Sequence, residues 1–382
     1  MSFPANLLAV RGPLVSFAVM GAMWGTIAAD LPDLKAMLGV DEALLGLLLF
    51  PTPVAAVIAM FLVPHFARMA GRHALLFATF AMPLVFALPG QFSTVWAFAL
   101  AMMACGAATG LADVLMTARV SAIEAERGES LMNLCFAAYS FGYAAGAMTT
   151  GGLRAMDWPP SSLLLAVAGV AGVVAQFSYE KDGAITGLNR PREKGAARLG
   201  MVPVLGGAVM FIAFLTENAS ENWAALYIET TLGGSPVQGG MGPAIIALTM
   251  GVSRLFGQGF ANRFQPARLL VVAAIIGAGG LLLAASAQGP GLAYLGFIIA
   301  GIGASVLSPT AFSMVGSLSR PEVRTRAIAR ATMIGYLGYF VGPPAFGALA
   351  GGIGLRSTFV IAAALLAAIL VVGPMLARKG LR

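Results

Sequence analysis

Charged residues in this chain are separated by long apolar runs of similar length. None falls between Arg11 and Asp30, between Glu42 and Arg68, or between Arg72 and Asp113. The same holds from Glu129 to Arg154, Asp157 to Glu180, Arg198 to Glu217, Glu229 to Arg254 and Arg268 to Arg320. Two further runs separate Arg330 from Arg356 and Arg356 from Arg378. Most match the roughly 20 apolar residues that carry a helix across a bilayer. Two are about twice that length, and each has a break near its middle: Pro89-Gly90-Gln91 and Gln288-Gly289-Pro290-Gly291. Dividing them there predicts an all-α membrane protein with 12 transmembrane helices.

Composition agrees with the pattern. Hydrophobic residues make up 59% of the 382 and charged residues only 10%, against about 25% charged in a soluble domain. An extended water-soluble core is excluded. The first apolar run follows a single arginine and is succeeded by more spans, so it is expected to be a retained helix rather than a cleaved leader. Cys105 and Cys135 both lie in apolar runs, which predicts neither a disulfide framework nor a thiolate metal site.

The net charge of +7 reads better as membrane topology than as affinity for nucleic acid. With the N-terminus inside, only Lys35, Arg154 and Arg356 of the 23 lysines and arginines fall on the outer side. Cytoplasmic loops carry the excess of Lys and Arg, so both termini are expected in the cytoplasm. The longest polar stretch, Glu180 to Arg198, divides the spans six and six. The expected organisation is an N-terminal half (1–180), a cytoplasmic linker (181–199) and a C-terminal half (200–382).

An internal repeat supports that division. Ser140–Leu153 aligns without gaps on Tyr336–Leu349, 196 positions later. Gly142 matches Gly338, Tyr143 matches Tyr339, Gly146 matches Gly342, Gly151 matches Gly347 and Leu153 matches Leu349. Such an offset is expected of a duplicated six-helix unit. Glycines at this spacing let helix backbones approach closely in lipid, where no hydrophobic drive brings helices together.

These features resemble the major facilitator superfamily. Ala67–His73 after span 2 and Ala261–Phe264 after span 8 are similar to weakened copies of its Asp-Arg-x-Gly-Arg-like signature loop, without the aspartate. The resemblance marks Arg68, Arg72, Arg254 and Arg263 as gating-loop residues. A narrower likeness is to one bacterial branch of mostly uncharacterised transporters, carried by Gly110–Ala118, Thr216–Ile228 and Gly335–Gly347. Two positions depart from that branch: Asp30 stands where an arginine is expected, and Phe136 where a histidine is usual. The resemblance implies two pseudo-symmetric halves in the bacterial inner membrane, with spans 1, 4, 7 and 10 lining a central cavity.

Ionisable groups inside a membrane cost free energy, roughly 2.5–3.5 kcal/mol for an aspartate at a helix centre, so each is a functional candidate. Asp113 lies in span 4, Glu217 and Glu221 in span 7, and Asp30 near the outer end of span 1. Glu217 and Glu221 are four apart and share a helix face. Asn218 and Asn222 flank that face, Trp223 continues it, and Tyr139 and Tyr336 are candidate hydrogen-bonding walls. These nine residues form the expected substrate and proton site. A carboxylate that loads a proton on one side and releases it on the other supplies what proton-coupled transport requires.

No lysine or arginine falls at mid-span, so the cavity is expected to lack cations and to favour neutral or cationic organic solutes over dianions. The chain has no His-Glu-x-x-His zinc pattern, no histidine at membrane depth and no phosphate loop, which argues against an enzyme or an ATP-driven pump. The expected protein is a monomeric secondary active transporter with no cofactor beyond a coupling proton, and with the lipid bilayer and a small-molecule substrate as partners. Export of amphipathic compounds and a non-transporting receptor are the alternatives.

Overall fold

The computed structural model describes residues 7–129, 131–181, 183, 199–261, 264–320 and 323–379. Apart from Lys181, Gly183 and Leu199, the expected linker lies outside the described residues, as does Arg263. Among the described residues the regular structure is helical, with no strand. The principal helices are α1 (Arg11–Leu38), α2 (Glu42–Leu49), α3 (Pro51–Ala70), α4 (Ala74–Phe86), α5 (Val95–Arg127) and α6 (Met132–Arg154). They are followed by α7 (Pro160–Ala175), α8 (Val202–Leu226), α9 (Pro236–Ala261), α10 (Pro266–Ser286), α11 (Pro290–Leu318) and α12 (Arg324–Lys379).

Local chemistry fixes the ends. Helix α1 stops at Gly39, whose φ of 65° suits a residue without a Cβ. Two residues on, the Asp41 carboxylate accepts the Leu44 N–H at 2.8 Å and caps α2. Lys35 closes the same turn by bonding Glu42 at 2.6 Å. At the opposite end of the bundle, Gly71 (φ 54°) turns the chain from α3 towards α4. These two turns name the bundle's Gly39 end and Gly71 end.

Nine helical stretches among the described residues are long and apolar enough to cross a membrane. Two of these, Glu42–Gln91 and Arg326–Arg378, are 50 and 53 residues long, far beyond what a 30 Å hydrocarbon core needs at 1.5 Å per residue. The first contains the Gly71 turn, and the second contains Gly354 with φ 84° and ψ 156°. Helix α6 has the length of a span but is not among the nine. Ser140, Thr149, Thr150 and several glycines dilute it, and it packs between α1 and α9 rather than against lipid alone.

The packing repeats itself. Helix α1 lies on α6 as α8 lies on α12, and α3 lies on α5 as α9 lies on α11. The repeated glycines make these approaches possible. A Cβ built on Gly142 would lie 2.1 Å from the Ala18 carbonyl oxygen, and one on Gly338 would lie 2.6 Å from that of Phe211. Near the Gly39 end, α6 meets α9 where Gly151 faces Gly240, and α2 meets α12 where Gly46 faces Gly347. Pro309 sits inside α11 without breaking it.

Candidate functional site

Polar side chains gather in the seam where α5, α6, α8, α9 and α12 face one another. Glu217 lies at the middle of the Val202–Thr231 span, and Glu221 one turn nearer the Gly39 end. Both are half-buried, as are Asn218 and Asn222. From α9, the Arg254 guanidinium reaches into the seam, donating to Glu217 Oε1 at 3.4 Å and to Ser140 Oγ of α6 at 3.3 Å. It lies 6.0 Å over the ring of Phe136.

Aromatic rings wall the seam. Tyr139 and Tyr143 of α6 are 6.0 Å apart between centroids. Across from them, Phe214 of α8 stacks at 4.9 Å on Tyr339 and 5.8 Å on Tyr336, both from α12. The charges of Glu217 and Glu221 are felt at Tyr139, Tyr143 and Tyr339, and that of Asp113 at Tyr139 and Tyr336. Trp24 of α1 donates its indole N–H to Thr109, one turn from Asp113, at 3.2 Å. Helix α8 thus presents two carboxylates to a tyrosine-lined seam whose other wall carries Asp113.

A second ionic centre sits at the Gly39 end. Arg154, the last residue of α6, is 4% exposed. Its guanidinium donates to both oxygens of Asp33 at 2.7 Å, to Glu229 at 2.6 and 2.9 Å, and to the Ala29 carbonyl at 2.9 Å. Asp30, 0% exposed, lies 3.7 Å from the same guanidinium and accepts no hydrogen bond from the described residues. Asp30 and Asp33 come from α1, whereas Glu229 comes from the π-helical turn after α8. The cluster therefore ties α1 and α6 to the end of α8.

The sequence-derived candidates divide between these centres. Asp113, Glu217, Glu221, Asn218, Asn222, Tyr139 and Tyr336 meet in the seam. Asp30 belongs instead to the Arg154 centre, far along α1. Trp223 does not face the seam: it is 1% exposed in the apolar core, its indole N–H without a partner among the described residues. The reason is helical geometry, since two residues on from Glu221 turns a side chain about 200° to the far side of α8.

The expectation of a seam without cations is corrected by Arg254. Its Cα lies towards the Gly71 end, but the long side chain snorkels to Glu217. Arg254 is accordingly not a loop residue, whereas Arg68 and Arg72 do sit exposed beside the Gly71 turn. Sequence reasoning missed the Arg154 centre, although one signal existed. Arg154 is one of only three cations on the wrong side of the charge count, and a cation kept there against the general bias invites a specific partner.

Comparison with known proteins defines the class. The model of the Major Facilitator Superfamily matches residues 14–287 and 206–379. The chain belongs to that superfamily: it is a multi-pass membrane protein of a transporter family, not an enzyme. It is 29% identical over 342 residues to an uncharacterized MFS-type transporter of Yersinia pestis, covering 88% of this chain and 87% of that one. It is 26% identical over 377 residues to the membrane protein MosC of Rhizobium meliloti, covering 96% and 90%. Among solved structures it resembles a bacterial homologue of the human lysosomal transporter Spinster, in an inward-facing and occupied conformation, with TM-score 0.74 at 15% identity over 99% and 98% of the two chains. The E. coli xylose transporter XylE gives TM-score 0.71 at 17% identity over 97% and 95%.

Proposed function

We propose that this chain is a proton-coupled secondary active transporter of a small neutral or cationic organic solute, working by alternating access in a bacterial cytoplasmic membrane. The observation that carries the reading is the pair of mid-span carboxylates on α8, in an aromatic seam that also holds Asp113, with one loosely held arginine beside Glu217. A carboxylate in that setting favours its neutral form unless paired. Its proton then depends on which aqueous side the seam meets.

The architecture that fits is twelve spans in two six-span halves, 1–180 and 200–382. Counting each long stretch as two spans at Gly71 and Gly354, and adding α6, brings nine to twelve. The paired helix contacts and the glycine matches 196 positions apart support the halves. The charge count supports a cytoplasmic Gly71 end and an external Gly39 end. On that reading the Arg154 centre closes the external side, and the halves rock apart there when it opens. Favouring the second reading, export of an amphipathic compound, is the stacked wall of Phe214, Tyr336 and Tyr339.

Proteoliposomes carrying an internal pH dye test the coupling directly. A panel of neutral, cationic and dianionic solutes is added under a small pH gradient. Neutral or cationic solutes should move protons, and dicarboxylates and sugar phosphates should not. Specific binding of a solute with no proton or solute movement across the whole panel would favour a receptor instead.

A further inference from the structure

Resting on the transporter reading, we infer that the seam takes a protonated organic amine, its charge held by Glu221 and its apolar body by the faces of Tyr139, Tyr143, Tyr339 and Phe214.

Arg254 shows how this seam accommodates a cation. Its guanidinium has a carboxylate (Glu217), a hydroxyl (Ser140) and an aromatic face (Phe136). One helical turn from Glu217 on the same face of α8 stands Glu221, and on α6 Ser140 is flanked by Tyr139 and, one turn on, Tyr143, whose rings are 6.0 Å apart, while Tyr339 of α12 stacks on Phe214 at 4.9 Å. Among the described residues no cationic side chain bonds Glu221 or Asp113, and neither carboxylate accepts a hydrogen bond. If the acids are charged, Asp113, Glu217 and Glu221 outnumber the one arginine by two.

Three independent details give the chemistry. Tyr143 is 2% exposed, and its hydroxyl has no hydrogen-bond partner among the described residues. The side-chain oxygen of Asn218 is buried without a donor. It lies on α8 between the two glutamates, against Gly342 of α12. A lone acceptor beside two carboxylates suits a ligand group that brings both a hydrogen-bond donor and a positive charge, which a protonated amine does and a quaternary ammonium or a neutral alcohol does not. Ring faces attract a desolvated cation and add apolar contact, so an amine with an aromatic or apolar body fits better than a small polar one. The other charged or titratable groups facing Glu221 are Glu217 on α8, Arg254 on α9, Tyr139 and Tyr143 on α6 and Tyr339 on α12.

The test compares three probes of one shape on purified full-length protein: phenethylammonium, 2-phenylethanol and phenylacetate, followed by calorimetry and thermal shift. Phenethylammonium should bind about tenfold or more tighter than the alcohol, a difference of about 1.4 kcal/mol, and phenylacetate should not compete. Glu221→Gln should weaken the amine about tenfold and leave the alcohol unchanged. Tyr339→Leu should weaken the amine more than Tyr339→Phe does. Equal binding of alcohol and amine by the wild-type protein overturns the inference, whether or not the variants fold. So does unchanged amine affinity in Glu221→Gln. Because no gradient is involved, gradient-driven transport of a neutral solute by a protein that ignores the amine would overturn this inference alone.

Discussion

Two arginines on the face between the helices set up opposite environments from the same materials. Arg154 meets Asp33 and Glu229 through short paired bonds of 2.6–2.9 Å, with Asp30 behind them, and is almost fully buried. Arg254 meets Glu217 at a single distance of 3.4 Å, and Glu221 beside it has no hydrogen-bond or ion-pair partner among the described residues. Bidentate Arg–carboxylate bonds specify geometry as well as energy, so the Arg154 guanidinium is saturated and rigidly held, with Asp30 alone in its centre lacking a hydrogen bond among the described residues. The second keeps unspent carboxylate capacity. Under the proposed function, the first centre closes the bundle and the second exchanges protons or substrate.

Stability separates the two most sharply. Arg154→Met strands the buried Asp30 and the largely covered Glu229, while Asp33 is 38% exposed, and removing one partner of a buried pair costs about 3–5 kcal/mol. Arg254→Met removes two long bonds from a half-buried group and should cost about 1 kcal/mol. Thermal unfolding in detergent should therefore fall far more for the first. Equal losses would erase the distinction.

Breaking the cross-link without removing the arginine sharpens the assignment. Glu229→Gln keeps the shape but weakens the bond between α6 and the end of α8. A cysteine at Asn222, in a background lacking Cys105 and Cys135, should then react about fivefold faster with an impermeant maleimide added outside cells. No change in rate would mean that Arg154 does not hold the Gly39 end shut. The converse probe is Arg254→Gln, which removes the seam's own cation and should tighten phenethylammonium a few-fold. Weaker binding would make Arg254 part of the binding surface rather than a competitor.

Sidedness rests on labelling. Cysteines at Gly183 and at Gln288 place the two centres relative to the cytoplasm. Reagent added to intact cells should modify the second and spare the first; the reverse pattern would put the Arg154 centre inside.

Much of the bundle was legible in the spacing of charges alone. The charge-free runs located α6 even though its polar and glycine residues lower its hydropathy, because a helix packed on both sides needs fewer apolar faces than one in lipid. The glycine repeat marked the close contacts of α6 and α12 before any coordinates. The seam acids were legible for a similar reason: charge at mid-span is rare. What stayed hidden depended on side-chain reach and on helical phase. A guanidinium can act well over a turn away from its Cα, so Arg254 looked like a loop residue. Trp223 shares a segment with Glu221 but not a face. The partners of Arg154 lie 121, 124 and 75 positions away, and no local pattern connects them.

The central claim is that the incompletely paired carboxylates of the seam carry the coupling proton, with Glu221 the most exposed to it because Glu217 shares Arg254. The direct measurement is solute movement in proteoliposomes with and without an imposed pH gradient, sodium varied separately, for wild type, Glu221→Gln, Glu217→Gln and Asp113→Asn. The account predicts that Glu221→Gln abolishes gradient-driven movement while counterflow exchange at saturating solute persists. Glu217→Gln should impair it less, and Asp113→Asn should either uncouple or abolish binding. Movement that follows sodium, that ignores the pH gradient, or that stays coupled in all three amide variants would contradict it.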